Sequence, residues 1–232
     1  IDLAPWFRGD PAARGAIARP VDDACRNVGF LQITGHGVPD GVIDALRTTS
    51  DDFFALPVAA KSAAASPSPE VNRGYAARGA EGLAYSLGVV RPPDLFEAFN
   101  IGPEDVDPTD PFVAAERHRI FAANIWPPQC PGLRNALVTY FAEARRVAHL
   151  LTDVFALALG LPEHHFDPFT DRSTDTLRVV HYETGPGDPE PVDGQVGMGA
   201  HTDYGICTVL YADPVPGLQI VGPDQEWHDV VP

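Results

Sequence analysis

The chain has 232 residues, 44% of them hydrophobic and 21% charged, which excludes a disordered chain and suits one good core at the upper edge of a single domain. Sixteen Lys and Arg against 32 Asp and Glu leave a net charge of −16, which disfavours nucleic acid and anionic membrane as partners. Cys25, Cys130 and Cys207 are odd in number and form no CxxC pair, so neither a disulfide framework nor a thiolate zinc site is expected and a reducing, cytoplasmic compartment fits best. No apolar run reaches the roughly 18 residues of a membrane span, and no basic-then-apolar leader is visible. The chain begins at Ile1 rather than Met, so residues are expected to precede it.

Residues 1–3 (IDL) read as a short strand. Over 12–28, Ile17, Val21, Cys25 and Val28 fall at helical spacing. Pro20 inside that run predicts a break or kink, and Gly29 the end of the helix. Phe30, Leu31 and Ile33 predict a buried strand running into Gly35-His36-Gly37. Pro39-Asp40 opens a second helix with Val42, Ile43, Leu46, Phe53 and Phe54 on its inner side. Residues 59–70 are small, polar and Pro-bearing, the composition of a mobile loop, and 71–112 lack clear periodicity and read as irregular. The strongest helix is 132–159, where Leu133, Leu137, Phe141, Ala148, Leu151, Phe155 and Leu159 recur mostly every four residues before Gly160 and Pro162. The period then changes. Residues 176–182 read as a strand, 184–196 as a Pro/Gly/Asp loop, and 198–203, 206–212, 217–221 and 226–231 as four further short strands. Helices to about residue 170 and antiparallel strands from 171 predict one α+β domain over 1–232. Five strands would leave open edges, so the β half is expected to continue beyond Pro232.

The sharpest chemical signal is Gly199-Ala200-His201-Thr202-Asp203-Tyr204-Gly205. Residues i and i+2 of an extended chain project to one face, so the His201 imidazole and Asp203 carboxylate can reach a single metal ion. With a second histidine such a pair makes the 2-His-1-carboxylate triad of non-haem iron(II) oxygenases, which leaves ligand positions open. The small Gly199 and Ala200 leave room beside the metal. An HxD alone is a weak signal, because many arise by chance as surface turns.

The flanking residues add specificity. The chain resembles the isopenicillin N synthase-like group of 2-oxoglutarate/iron(II) oxygenases in Ile1-Asp2-Leu3, in CRNVGFLQITGHGV at 25–38 and in FFALP at 53–57. The likeness continues through LRVVHYE at 177–183 and the segment from Gly199 to Pro232 that couples the HxD to a Pro-Gly-Leu-Gln strand and a Trp-bearing hairpin. The resemblance implies a double-stranded β-helix, or jelly roll, braced by N-terminal helices, with iron at the open end of the roll. It implies His201 and Asp203 as catalytic metal ligands, with Fe(II), 2-oxoglutarate and O2 as cofactor and cosubstrates. The implied reaction oxidises a small molecule, by hydroxylation by default, as 2-oxoglutarate is decarboxylated to succinate. The family's second histidine and its Arg-x-Ser for 2-oxoglutarate lie several dozen residues past the HxD, and the stretch after Asp203 holds no Arg. Both are expected beyond Pro232, so only the first half of the roll is expected here.

Two further residues are candidates for binding the cosubstrate. Tyr182 ends the 176–182 strand and matches an aromatic position that lines the family's pocket, where a hydroxyl can donate to a carboxylate. Arg178 shares its face by period two and can grip a carboxylate bidentately; the competing reading is a structural ion pair. Asn72, Arg73 and Tyr75 resemble a segment that lids the site. His228 is read as a surface hairpin residue, His36 as a structural hydrogen-bonding residue in its turn, and His164 and His165 as surface or capping residues; Cys207 is read as buried packing. Rival functions are a 2-oxoglutarate-independent oxidase of the isopenicillin N synthase type, a metal-free β-roll used for binding, and a different metal hydrolase. Neither the substrate nor the oligomeric state is readable.

Overall fold

The computed structural model describes residues 1–182 and 190–231. All the α-helices lie before residue 171, as the change of period predicts, but two of the strands also lie in that half, between the third and fourth helices. The loop expected at 184–196 falls partly outside the described residues. Helices are α1 (Pro11–Asn27), α2 (Asp40–Phe54), α3 (Val58–Ser62), α4 (Pro111–Glu116), α5 (Leu133–Ala158) and α6 (Asp167–Thr170). Strands are β1 (Gly74–Ala76), β2 (Glu97–Ile101), β3 (Leu177–His181), β4 (Gln219–Val221) and β5 (Trp227–Asp229). β1, β2 and β3 form an antiparallel sheet in that order, with Tyr75 opposite Phe99, Phe99 opposite Val179, and Glu97 opposite His181. β4 and β5 form a separate hairpin. Among the described residues no helix is long and apolar enough to cross a membrane.

The chain divides into two compact units. The first holds Ile1–Val38, Glu143–Asp171 and Gly205–Pro232, and the second Pro39–Ala142 and Arg172–Tyr204. In the first, Ile17, Ala18 and Val21 of α1 pack with Leu3, Trp6 and the α5 residues Val147, Leu150, Leu151 and Val154. The α5 set runs i, i+3, i+4, i+7, the spacing that keeps one helix stripe dry. Each such side chain contributes about 1.5–3 kcal/mol by leaving water. In the second unit Phe53 is the hub, with ring centroids 4.8 Å from Phe99, 5.1 Å from Phe54 and 5.9 Å from Tyr75, all edge-to-face. The earlier part of α5 adds Leu133, Ala136, Leu137, Tyr140 and Phe141 to the buried set of that unit.

Several expectations change. Helix α1 runs unbroken through Pro20. The proline leaves the Ala16 carbonyl without its helix donor, but Ile17, Ala18 and Val21 are buried on both sides of it and hold the turn in place. Its N-terminus is set by the Asp10 side chain, which accepts from the Ala12 N–H, with Pro11 in the first turn. Residues 1–3 and 30–33 form no ladder beyond one parallel bridge between Asp2 and Thr34, and Phe30 is exposed. The loop expected at 59–70 begins inside α3, where Lys61 is buried. The stretch expected to be irregular at 71–112 contains β1 and the wholly buried β2. Of the four strands expected after 196, only 217–221 and 226–231 contain ladders. Residues 198–203 and 206–212 have no strand partner among the described residues, and an extended segment is a strand only when a neighbour takes its N–H and C=O groups.

Candidate active site

The segment leading to His201 is held by backbone ties to the loop before β2. Asp94, 2% exposed, accepts from the Leu83 N–H at 2.8 Å through one carboxylate oxygen and from the Gly199 N–H at 3.0 Å through the other. Leu95 N–H donates to the Val196 carbonyl at 2.9 Å, and the Gln195 side chain donates to the Pro93 carbonyl at 2.7 Å. A methyl group on Gly199 would lie 2.9 Å from the Ala84 nitrogen and 3.2 Å from an Asp94 carboxylate oxygen. Gly199 is therefore small because it packs on the Ala84 backbone, a reason different from making room beside a metal.

His201 Nδ1 lies 2.8 Å from the Gly199 carbonyl, and Nε2 lies 3.3 Å from Asp203 Oδ1. A carbonyl only accepts, so Nδ1 carries a proton, which makes Nε2, on the Asp203 side, the ring nitrogen that a metal ion would take. Metal bonds of about 2.0–2.2 Å meeting at right angles put two ligand atoms roughly 3 Å apart, close to what this pair already has. The His201 side chain is 27% exposed and that of Asp203 52%, so the pair is open to a ligand from one side. Among the described residues no third His, Cys, Asp or Glu atom gathers with it.

Tyr182 is half exposed, and its hydroxyl approaches Met198 Sδ at 3.6 Å. Burial of the hydroxyl raises its pKa, the Arg178 charge opposing. Arg178 Nη2 donates to Glu81 at 2.8 Å and the guanidinium covers the Phe96 ring at 5.1 Å. The ion-pair reading therefore describes one end of this side chain, while its buried Nε has no partner. Arg73 and Tyr75 are buried: Arg73 donates to the carbonyls of Asn72, Ile120 and Ala122, and the Tyr75 hydroxyl to Glu97 at 2.6 Å. Both brace the core where a lid was expected. His228 pairs with Asp224 in the exposed hairpin, and His36 Nδ1 accepts from the Val38 N–H. Cys207 is half-buried, and Cys25, Cys130 and Cys207 form no disulfide among the described residues.

The sequence reading overlooked a buried charge cluster beneath β3. Lys61 Nζ donates to both Glu97 oxygens at 2.9 and 2.7 Å and to the Phe54 carbonyl at 3.0 Å. His181 Nδ1 meets Glu97 at 3.1 Å while its ring stacks on Phe54 at 4.7 Å. Burial pushes the Glu97 carboxyl up, but hydrogen bonds from His181, Lys61 and Tyr75 and the Lys61 charge outweigh it and hold its pKa at about 2. A Glu opening a short apolar stretch was the only sequence trace of this cluster.

In the first unit, Asp153, Glu163 and His164 gather ligand atoms within 4.8 Å. Arg14 already binds both Glu163 oxygens at 2.6 and 2.7 Å, so this is an ion-pair knot around an exposed, left-handed His164. A hollow of about 480 Å³ beside it is lined by Arg14, Arg19, Asp22 and Leu157. It contains neither His201 nor Asp203 and no part of their chemistry.

Comparison with known proteins gives a consistent picture. Residues 1–129 match the family model described as non-haem dioxygenase in morphine synthesis N-terminal, and residues 174–232 match that of the 2OG-Fe(II) oxygenase superfamily. The chain is 33% identical over 236 residues to the 2-oxoglutarate-Fe(II) type oxidoreductase hxnY of Emericella nidulans, an alignment covering all of this chain and 66% of that protein. It is 32% identical over 230 residues to the validamycin A dioxygenase of Streptomyces hygroscopicus subsp. limoneus, covering 98% of this chain and 61% of that one. The chain thus spans less than two thirds of the length of these relatives. Among solved structures, a full-length Neurospora crassa protein in complex with alpha-KG superposes with a TM-score of 0.81 at 27% identity, covering all of this chain and 69% of that one. The same protein in complex with alpha-KG and thymine gives 0.79 at 26% identity, with 100% and 70% covered.

Proposed function

Since the chain belongs to the 2OG-Fe(II) oxygenase superfamily, we propose that it acts as a non-haem Fe(II)- and 2-oxoglutarate-dependent dioxygenase on a small molecule. The observation that carries this reading is the 3.3 Å approach of His201 Nε2 to Asp203 Oδ1, with Nδ1 anchored on the Gly199 carbonyl. A neutral imidazole nitrogen beside a carboxylate oxygen is a donor set that suits ferrous iron. His201 and Asp203 would hold the metal, and the backbone anchor on Nδ1 would fix the ring and its tautomer. When bound, Fe(II) and 2-oxoglutarate supply the O2-dependent oxidising chemistry, with succinate as coproduct.

This chain's own residues orient and enclose. Asp94 holds Gly199 against the loop at Leu83 and so fixes where the His–Asp pair stands. Tyr182, with its desolvated hydroxyl, is suited to donate to a bound carboxylate. In this reading the fold is a double-stranded β-helix, to which β3 contributes a strand. The small-molecule substrate agrees with the thymine complex of the similar fungal protein. Three cysteines far apart in sequence with no disulfide among the described residues suit a reducing, cytoplasmic setting.

Titration of the anaerobic full chain with Fe(II) and 2-oxoglutarate is the direct test. Wild type should bind one iron and develop the weak visible charge-transfer band of the Fe(II)–2-oxoglutarate complex, and His201→Ala and Asp203→Ala should each lose both signals. Iron binding that survives in both variants would sink the assignment. Release of succinate on admitting O2 separates this reading from that of an oxidase using no 2-oxoglutarate.

A further inference from the structure

One face of α1 is left open. Pro11, Arg14, Gly15, Ala18, Arg19 and Asp22 fall at i, i+3, i+4, i+7, i+8 and i+11, a single stripe of the helix, and all six line the hollow of about 480 Å³ in the first unit. Leu157, in the last turn of α5, and Glu163, just beyond it, close the other side. The volume is that of an ordinary small-molecule site. The hollow exists because Gly15 carries no side chain. A methyl group there would meet nothing within 4 Å, and Gly15 is not among the glycines with positive φ. Neither a close approach nor a left-handed backbone calls for glycine at this position, and glycine inside a helix is less stable than alanine. The chain therefore keeps space here at a cost to α1.

The charges around that space leave one cation over. Arg14 Nη1 donates to both Glu163 oxygens at 2.6 and 2.7 Å, and Arg26 Nε donates to both Asp22 oxygens at 2.8 Å, so the two carboxylates of the lining are already matched. Arg19 is exposed and has no hydrogen bond or ion pair among the described residues. Arg14 is held before any ligand arrives, because its guanidinium lies over the buried Trp6 ring at 5.0 Å while Glu163 fixes Nη1. Its Nη2 lies outside that pair. The net charge of −16 opposes an anion at long range, but the field of distant carboxylates is screened beyond about 8 Å at physiological salt, so the guanidinium groups at the hollow decide what binds.

We infer that this hollow is a second ligand site, separate from the His201–Asp203 pair, for a small monocarboxylate with an apolar body. The carboxylate pairs with Arg19, whose planar fork matches its two oxygens. The body lies on Gly15, Ala18 and Leu157, and Arg14 Nη2 supplies a further donor. One uncompensated cation selects one negative charge.

The probes are benzoate and benzamide, which share a shape and differ in charge. Their dissociation constants are measured by ligand-observed NMR on the full chain, with and without Fe(II), in wild type and in His201→Ala. Benzoate should bind at least about tenfold more tightly than benzamide, the size of one hydrogen bond to a charged group, and equally well in all of these samples. Arg19→Gln should remove most of that preference. Gly15→Leu should abolish benzoate binding, because the side chain fills the hollow, and the variant should fold because leucine is a good helix former in open space. Gly15→Ala should raise the melting temperature by a few degrees while weakening benzoate, a split that a merely structural glycine would not give. Equal binding of the two probes, benzoate binding unchanged in Gly15→Leu, or no saturable benzoate binding below about 10 mM each overturns the inference. Benzoate binding that is lost in His201→Ala would place the ligand at the His–Asp pair and overturn it as well. None of these results bears on the oxygenase reading, which the charge-transfer band tests by itself.

Discussion

At Gly199 there is no room for a methyl group. Ala there would press on the Ala84 backbone and the Asp94 carboxylate, and overpacking of this kind costs about 1–3 kcal/mol. Gly199→Ala should therefore lower the melting temperature and, by shifting the carbonyl that anchors His201 Nδ1, weaken iron affinity by about 10- to 100-fold, as disturbed support of a metal ligand does. Unchanged iron affinity in a folded Gly199→Ala protein would show that the anchor is dispensable. Glu97 gives a second prediction at this scale. Its folded pKa of about 2 lies below the ordinary value of 4.5, so the folded state binds fewer protons than the unfolded state between these values. The contribution, roughly 3 kcal/mol at 1.36 kcal/mol per unit, is complete above about pH 5 and is lost as pH falls toward 2. Denaturation midpoints measured from pH 6 to 2.5 should show that loss, and it should largely disappear in Glu97→Gln.

Among the elements, β2 is held by charge as much as by apolar packing. Lys61 from α3, Tyr75 from β1 and His181 from β3 all converge on one β2 carboxylate. Removing one partner of a buried pair leaves the other uncompensated and costs about 3–5 kcal/mol. Lys61→Met should fall in that range by chemical denaturation; a cost below about 1 kcal/mol would mean that His181 and Tyr75 alone satisfy Glu97. In α1, exposed Pro20 interrupts the backbone ladder. Ala is about 3 kcal/mol better in a helix interior, offset by about 0.4–1 kcal/mol from the lost stiffness of the unfolded chain. Pro20→Ala should raise the denaturation midpoint with an unchanged slope, and a lower midpoint would show that the ring makes packing contacts of its own.

For the whole molecule the net charge of −16 sets the long-range field. Self-repulsion at that charge destabilises a compact state, and 0.1 M salt screens it beyond about 10 Å. The melting temperature should rise by a few degrees between 0.01 and 0.3 M NaCl. A steady fall would mean that local pairs such as Arg134–Glu104 and Arg178–Glu81 outweigh the net field. The two units carry separate cores, one aliphatic around Val21 and Val154 and one aromatic around Phe53. The salt response is therefore best followed by two probes, in variants that keep a single tryptophan: Trp6 fluorescence for the first unit and Trp126 for the second.

The amino-acid sequence determined the long amphipathic helices, the end of helical structure near residue 170 and the His201–Asp203 pair. These depend on periods of 3.6 and 2 and on i, i+2 geometry, all local properties of the chain. It did not disclose β2, because Glu97 and Asn100 make EAFNI look too polar for a buried strand until Lys61, Tyr75 and His181 arrive from positions 22 to 84 residues away. Nor could it separate ladder strands from the runs at 198–203 and 206–212, which lie in no ladder among the described residues, since pairing belongs to the neighbour as much as to the segment. Only the tertiary structure decided what Gly199 packs against, that Arg73 and Tyr75 are core residues, and that Asn100 and Arg178 share a rung. Each of those outcomes is a contact between residues distant in sequence, and such contacts leave no periodic trace in the chain.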